Sequence, residues 1–322
     1  MSCHFCFKPS PGTFGQPIRT CSGIVIVGLL LLSSPRVGAA ADRQSSRVAH
    51  GLAYQHDEVR ETPWSIHIVK MERANAELEL HTTLGKGRSF GLATLSEQVR
   101  TLPPGIGRPV AAINGDYYYK DRPYVGDPKG LQIMQGELIS GPCDWTCMWI
   151  DTAGVPHMTN VVSRLSVTWP SGEKTRIGLN EDRARDAAVL YTTAVGLSTR
   201  TSGGRELVLE RNGTNAWLPL RAGQTYAAKV REVRETGDTP VSKDVLVLSL
   251  GKQLLPRLPK VTPGTVLQIS TATFPDVSGA KTAIGGGPPI VRGGIAIGRN
   301  DAYIRHPRSA IGWNKEHFFF VE

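Results

Sequence analysis

The chain has 322 residues, 37 Lys and Arg against 28 Asp and Glu, and a formal net charge of +9. That length accommodates one large domain or two modest ones. The positive surplus is spread, with no block of five like charges. It suits an anionic partner, a negatively charged envelope or an ordinary solvated surface and favours neither nucleic acid nor membrane, so no nucleic-acid partner is expected.

Residues 1–41 contain Lys8, Arg19 and Arg36, no acidic residue, an apolar run IVIVGLLLL (Ile24–Leu32) and the stretch SSPRVGAAA. A basic leader, a short apolar core and small residues predict a signal peptide over 1–41, cleaved near Ala40 or Ala41. The mature protein is then exported, to a periplasm or to the outside. Nine apolar residues fall short of the ~20 that cross a bilayer, so no membrane span is expected after cleavage. An uncleaved anchor is the alternative, because the stretch before Ile24 is long. Without the leader the balance is 34 basic to 28 acidic residues, or +6. Cys3, Cys6 and Cys21 leave with it, and Cys143 and Cys147 remain in GPCDWTCMWI. An even pair in an exported chain favours a local disulfide over two free thiols. No second Cys or His pair stands at zinc-site spacing.

Along the mature chain, WSIHIVK (Trp64–Lys70) and AELELHTT (Ala76–Thr83) alternate apolar and polar residues, the period of a half-buried strand. LGKGRS (Leu84–Ser89) reads as a basic, Gly-rich loop. TLSEQVRTL (Thr94–Leu102) predicts a helix, with Thr94 and Glu97 as a capping box and Pro103-Pro104 as its stop. PVAAINGD is an apolar strand running into Asn-Gly, and GLQIMQGELIS and MWIDTAGVPHM predict hairpins. From Val161 to Thr273 short strands alternate with Pro, Gly, Asn and Asp, without an internal repeat. Asn212-Gly213-Thr214 reads as a sequon or as an Asn-Gly turn. The fold class is α+β: β-rich mixed sheets with few helices.

Three patches could carry chemistry. In AAINGDYYYKDRPYVGDPKGLQI a buried strand delivers Asn114, Gly115 and Asp116 to its end, followed by tyrosines that begin at Tyr117. Gly115 allows close backbone approach, Asn114 and Asp116 suit sugar hydroxyls or a cation, and tyrosines can line a sugar face. An Asn-Gly turn with surface tyrosines is the plain alternative. In TAIGGGPPIVRGG, Gly285, Gly286 and Gly287 could form a backbone N–H nest for an anion, although the run is neither a Walker loop nor a dinucleotide fingerprint. In HPRSAIG, Pro307 extends the chain and sets His306 and Arg308 on one face, a pair suited to phosphate ester chemistry. A structural histidine beside an arginine is the alternative there.

Taken in order, AAINGDYYY, GDPKGLQI, GELI, IGGGPPIVRGG and HPRSAIGW resemble the phosphodiester glycosidase family, whose bacterial members are often labelled exopolysaccharide biosynthesis proteins. The resemblance runs from about Trp64 to the end. It implies a signal peptide (1–41), N-terminal strands and a helix leading into the domain (42–105), and a phosphodiester glycosidase-like domain (106–322). It also implies a hydrolase that cleaves a sugar's anomeric carbon from the phosphate of a glycosyl phosphodiester or phosphorylated glycan. Asp116, His306 and Arg308 would be catalytic; Asn114, Gly115, Tyr117, Gly285, Gly286, Gly287 and Ser309 would bind substrate. No cofactor is called for, with a divalent cation the one candidate and its ligands unknown. Relatives continue past this point into Val-Asp-Gly-Arg and an Asp-Gly-Gly-Gly-Ser motif, neither of which follows HFFFVE here. The expectation is therefore a domain incomplete at its C-terminus. The alternative to the enzyme is a non-catalytic envelope or polysaccharide-binding protein, or an inactive truncated homologue.

Overall fold

The computed structural model describes residues 2–5, 42–214, 217–297 and 306–322. The apolar run Ile24–Leu32 and the expected cleavage point lie outside them. Strand accounts for 45% of the structure and helix for 5%, as the β-rich reading of the sequence expects. No helix among the described residues is long and apolar enough to cross a membrane.

Three sheets build the body. An outer antiparallel sheet runs in the order Asp42–Ala49, Leu52–Val59, Trp64–Glu72, His317–Val321 and Ala310–Trp313. The strands near the two ends of the sequence are thus hydrogen-bonded neighbours, with Phe318 opposite Met71 and Phe320 opposite Val69. The boundary drawn at residue 105 consequently divides strands of one sheet. A middle sheet is ordered Thr273–Phe274, Pro156–Ser163, Cys143–Ile150, Thr282–Gly285, Gln132–Met134 and Glu137–Ser140. The third sheet has eight strands drawn from residues 166–270. A smaller parallel group sets Ser2–Phe5 between Glu79–Thr82 and Pro109–Ile113.

The middle sheet explains why MWI reads as a continuous apolar run. Side chains alternate between faces along a strand, and here both faces are covered. Cys147, Trp149 and Ala283 pack with Leu207, Leu248 and Ile269 of the eight-stranded sheet. Met148 and Ile284 pack with Met71, Phe318 and Phe320 of the outer sheet. Each fully buried aliphatic side chain contributes roughly 1.5–3 kcal/mol, so these two seams hold the sheets together.

Local chemistry follows the sequence closely at the helix. It spans Leu95–Arg100; Thr94 Oγ1 accepts the Glu97 N–H, and the Thr94 N–H donates to Glu97 Oε2 at 2.7 Å. Those bonds from Thr94 hold the Glu97 carboxyl below its ordinary range. The predicted strand Ala76–Thr83 is shorter, Glu79–Thr82, because Asn75 closes a turn by accepting the Glu77 N–H. The hairpin in GLQIMQGELIS turns on Gln135 and Gly136, both with positive φ.

Inside the eight-stranded sheet the buried carboxylate of Glu206 is served by three donors. Glu206 accepts from the Thr199 and Thr201 hydroxyls at 3.0 and 2.8 Å and from the Thr239 N–H at 3.0 Å. Buried carboxylates persist where such donors replace water.

Candidate functional site

Between the outer and middle sheets the packing gives way to a cleft of about 1580 Å³. Several separate stretches of sequence meet on it. The strand Pro109–Ile113 delivers Asn114, Gly115 and Tyr117; the strand Thr282–Gly285 delivers Gly285, Gly286 and Gly287; the run into Ala310–Trp313 delivers Arg308 and Ser309. The middle sheet adds Thr146 and Met148, and the outer sheet adds Tyr54 and Trp313. The predicted substrate-binding residues therefore all line one space.

The charge of that lining is one-sided. Lys70, Arg73, Arg292, Arg308 and Lys315 line it, and among the described residues no Asp or Glu does. Arg73 is fixed by donating to the Asn314 carbonyl at 2.6 Å and by lying 5.3 Å from the centre of the Phe318 ring. Carbonyl partners position the guanidinium without neutralising it, so the charge stays available to an anion. Lys70 and Lys315 were not singled out in the sequence. Strand pairing brings the two ends of the chain together here, and local periodicity carries no signal of that.

Asp116 stands elsewhere. It is 4% exposed and lines a small cavity of about 40 Å³ that shares Gly115 and Ile284 with the cleft. Its oxygens accept the Tyr117 N–H at 2.6 Å and the Gly130 N–H at 2.7 Å. Burial, which outweighs those two bonds, pushes its pKa up to about 7. The carboxyl is wedged between two glycines: a Cβ on Gly285 would lie 2.3 Å from Asp116 Oδ2, and one on Gly130 would lie 2.8 Å from it. Asp116 thus ties the Asn114–Tyr117 turn to Gly130 and lies against Gly285, outside the residues that line the cleft, where a catalytic acid was expected. Asp127, 2% exposed, is pushed up to about 8 by burial and then by the charge of Glu181.

Three other expectations change. His306 is exposed and does not line the cleft; the chain reaches the rim at Pro307, so the expected His306–Arg308 pair is reduced to Arg308. The Gly286 N–H donates to the Thr146 carbonyl at 3.0 Å, which removes it from any anion nest. Cys143 and Cys147 are both free thiols at two points of one strand, Cys143 exposed and Cys147 buried. Four residues of extended chain cover roughly 13 Å, against about 4.4–6.8 Å between bridged Cα atoms. Burial pushes the Cys147 thiol up to about 12.

His157 also borders the cleft, and its Nε2 lies 2.7 Å from Asp151 Oδ2. Its ring stacks on Trp149, on the sheet face opposite Met148, so this couple serves the hairpin. Asp151 accepts two further N–H bonds from Ala153 and Val155 in the same turn. Tyr117, which lines the cleft, meets Trp145, which does not, edge-on at 6.2 Å. Among the described residues no group of three or more His, Cys, Asp or Glu is arranged to hold a metal ion.

No family model and no curated protein matches the sequence. A solved structure does match: the crystal structure of a hypothetical protein from Synechocystis, with a TM-score of 0.66 and 18% identity, over 88% of this chain and 52% of that one. At that identity the likeness establishes the fold alone. This chain spans about half the length of that protein.

Proposed function

We propose that the protein is an exported phosphodiester glycosidase, which hydrolyses the bond between a sugar's anomeric carbon and the phosphate of a glycosyl phosphodiester. One observation carries the reading: among the described residues the cleft is lined by five Lys and Arg side chains and no carboxylate, with Asn114, Tyr117 and Arg308 brought onto it from separate segments. A phosphodiester matches that charge, and Asn114 with the Tyr117 ring suits the hydroxyls and the face of a sugar. In the reaction water adds to the anomeric carbon, the carbon–oxygen bond breaks, and its electron pair leaves on the phosphate. The water's proton passes to solvent. Arg308 stabilises the charge gathered on the leaving phosphate, which needs little protonation. The motif resemblance supports the same division of labour between Arg308 and Asn114.

The test is release of free sugar from a panel of glycosyl phosphodiesters, beginning with N-acetylglucosamine 1-(methyl phosphate). Turnover that is lost in Arg308→Ala supports the reading. Absence of turnover across the panel by the folded full chain overturns it. Export is checked by the N-terminus of the protein made in a secreting host, expected near Ala41.

A second reading, binding of a phosphorylated polysaccharide without turnover, is favoured by the position of Asp116. A two-carboxylate glycosidase needs acids on the substrate, and Asp116, the acid the motif offers, is buried and bonded to two N–H groups. Retardation in polysaccharide-containing gels without sugar release would select it.

A further inference from the structure

On the face of the outer sheet that carries Leu52 and Met71, past its packed end, lies a cluster whose histidines do not line the cleft. His56 and His67 face each other across neighbouring strands, directly opposite in register. Their rings stack at 4.3 Å with only 4° between planes. The Nε2 atoms of both converge on one oxygen: Ser65 Oγ lies 2.8 Å from His56 Nε2 and 3.4 Å from His67 Nε2. Glu58 is beside them, its Oε1 3.9 Å from His56 Nε2. His67 Nδ1 is 2.7 Å from the Tyr54 hydroxyl.

We propose that His56 and His67 form a two-point chelate for one divalent transition ion of the zinc or copper class, with Ser65 beside it and water completing the shell. Two imidazole nitrogens within reach of one point are the donor set such ions select, whereas calcium and magnesium require oxygen ligands. The Tyr54 hydroxyl supplies what a ligating histidine ordinarily has, a hydrogen-bond acceptor for its other ring N–H. With Nδ1–H donating to Tyr54, the Nε2 lone pair of His67 is left for the metal. A short rotation of the two rings about χ2 turns parallel lone pairs toward a shared ion, and exposure of the site gives an entry path. The site has two protein nitrogens and, among the described residues, no third protein ligand of the His, Cys, Asp or Glu type. It therefore belongs to the exchangeable class of ion sites, unlike a closed structural zinc centre. Tyr54 also lines the cleft, so an ion at this pair would fix the phenol at the edge of the cleft wall.

The test is calorimetric titration of the untagged, chelator-treated full chain with zinc chloride and with copper chloride, with calcium chloride as the control. The expected result is one saturable zinc or copper equivalent per chain, no calcium binding, and at least a tenfold loss of affinity in both His56→Ala and His67→Ala. His317→Ala should bind as the parent does. The copper-loaded protein should show two imidazole nitrogens in its electron paramagnetic resonance spectrum, a signature that a general surface histidine would not give. Absence of saturable binding, or parental affinity in the two variants while near-ultraviolet circular dichroism shows them folded, overturns the proposal. Neither result bears on sugar release, so this proposal and the glycosidase reading stand or fall separately.

Discussion

The two faces of the middle sheet are built from the same strands and end up with opposite properties. On one face Cys147, Trp149 and Ala283 are sealed against the eight-stranded sheet. On the other, Met148 and Ile284 begin a packed seam that opens into a cationic cleft. The cause is the chain's connectivity. The sealed face meets a continuous sheet of eight strands, whereas the open face meets a five-stranded sheet together with the runs 286–294 and 307–315. A period of two along one strand thus separates stability from chemistry.

The largest test of that contrast lies on the sealed face. Trp149→Ala should cost about 3–5 kcal/mol, read as a fall in urea midpoint with the slope unchanged. Met148→Ala should cost less, since its side of the sheet adjoins open space, and equal losses would break the contrast. On the open face the order of effects reverses. Arg308→Ala should leave the urea midpoint in place and lower turnover by about 10²–10³-fold, the range for removing one donor to developing negative charge.

The glycine run sharpens the boundary between the faces. Gly285→Ala should destabilise by about 1–3 kcal/mol, because its Cβ would meet Asp116 Oδ2 at 2.3 Å. A Cβ on Gly286 meets nothing within 4 Å, so Gly286→Ala should be silent in the same urea titration. The smallest effect is one of pH. Asp116 and Asp127 have ordinary values of 3.8 and are raised to about 7 and about 8 in the folded protein. The native state therefore holds a proton that the unfolded chain has lost. Their contribution is most favourable below the unfolded value and falls as pH rises to the folded ones, by at most about 1.4 kcal/mol per pH unit for each group. Unfolding measured from pH 4 to pH 8 should show that slope, and Asp116→Asn should reduce it.

Much of this was legible in the sequence wherever the signal is local. Thr94, Glu97 and Pro103 announce the helix, and Gln135-Gly136 marks a hairpin turn between apolar strands. The motifs around Asn114, Gly285 and Arg308 converge as their order suggests. What was hidden depends on long-range packing. Asp116 reads as a strand-end acid, and only the arrival of Gly130 and Gly285 on either side buries it. An extended segment places His306 and Arg308 on one face, but the pattern cannot say which of them the cleft reaches. The basic lining came from Lys70 and Lys315, whose proximity is created when the last strand pairs with Trp64–Glu72.

The central claim is that the open face binds a phosphorylated sugar between Arg308 and Asn114. A crystal structure of the full chain soaked with N-acetylglucosamine 1-phosphate tests it most directly. The account predicts the phosphate on the Arg308 guanidinium and the sugar ring against Asn114 and Tyr117. A ligand bound away from the cleft, or an empty cleft at saturating ligand, would contradict it.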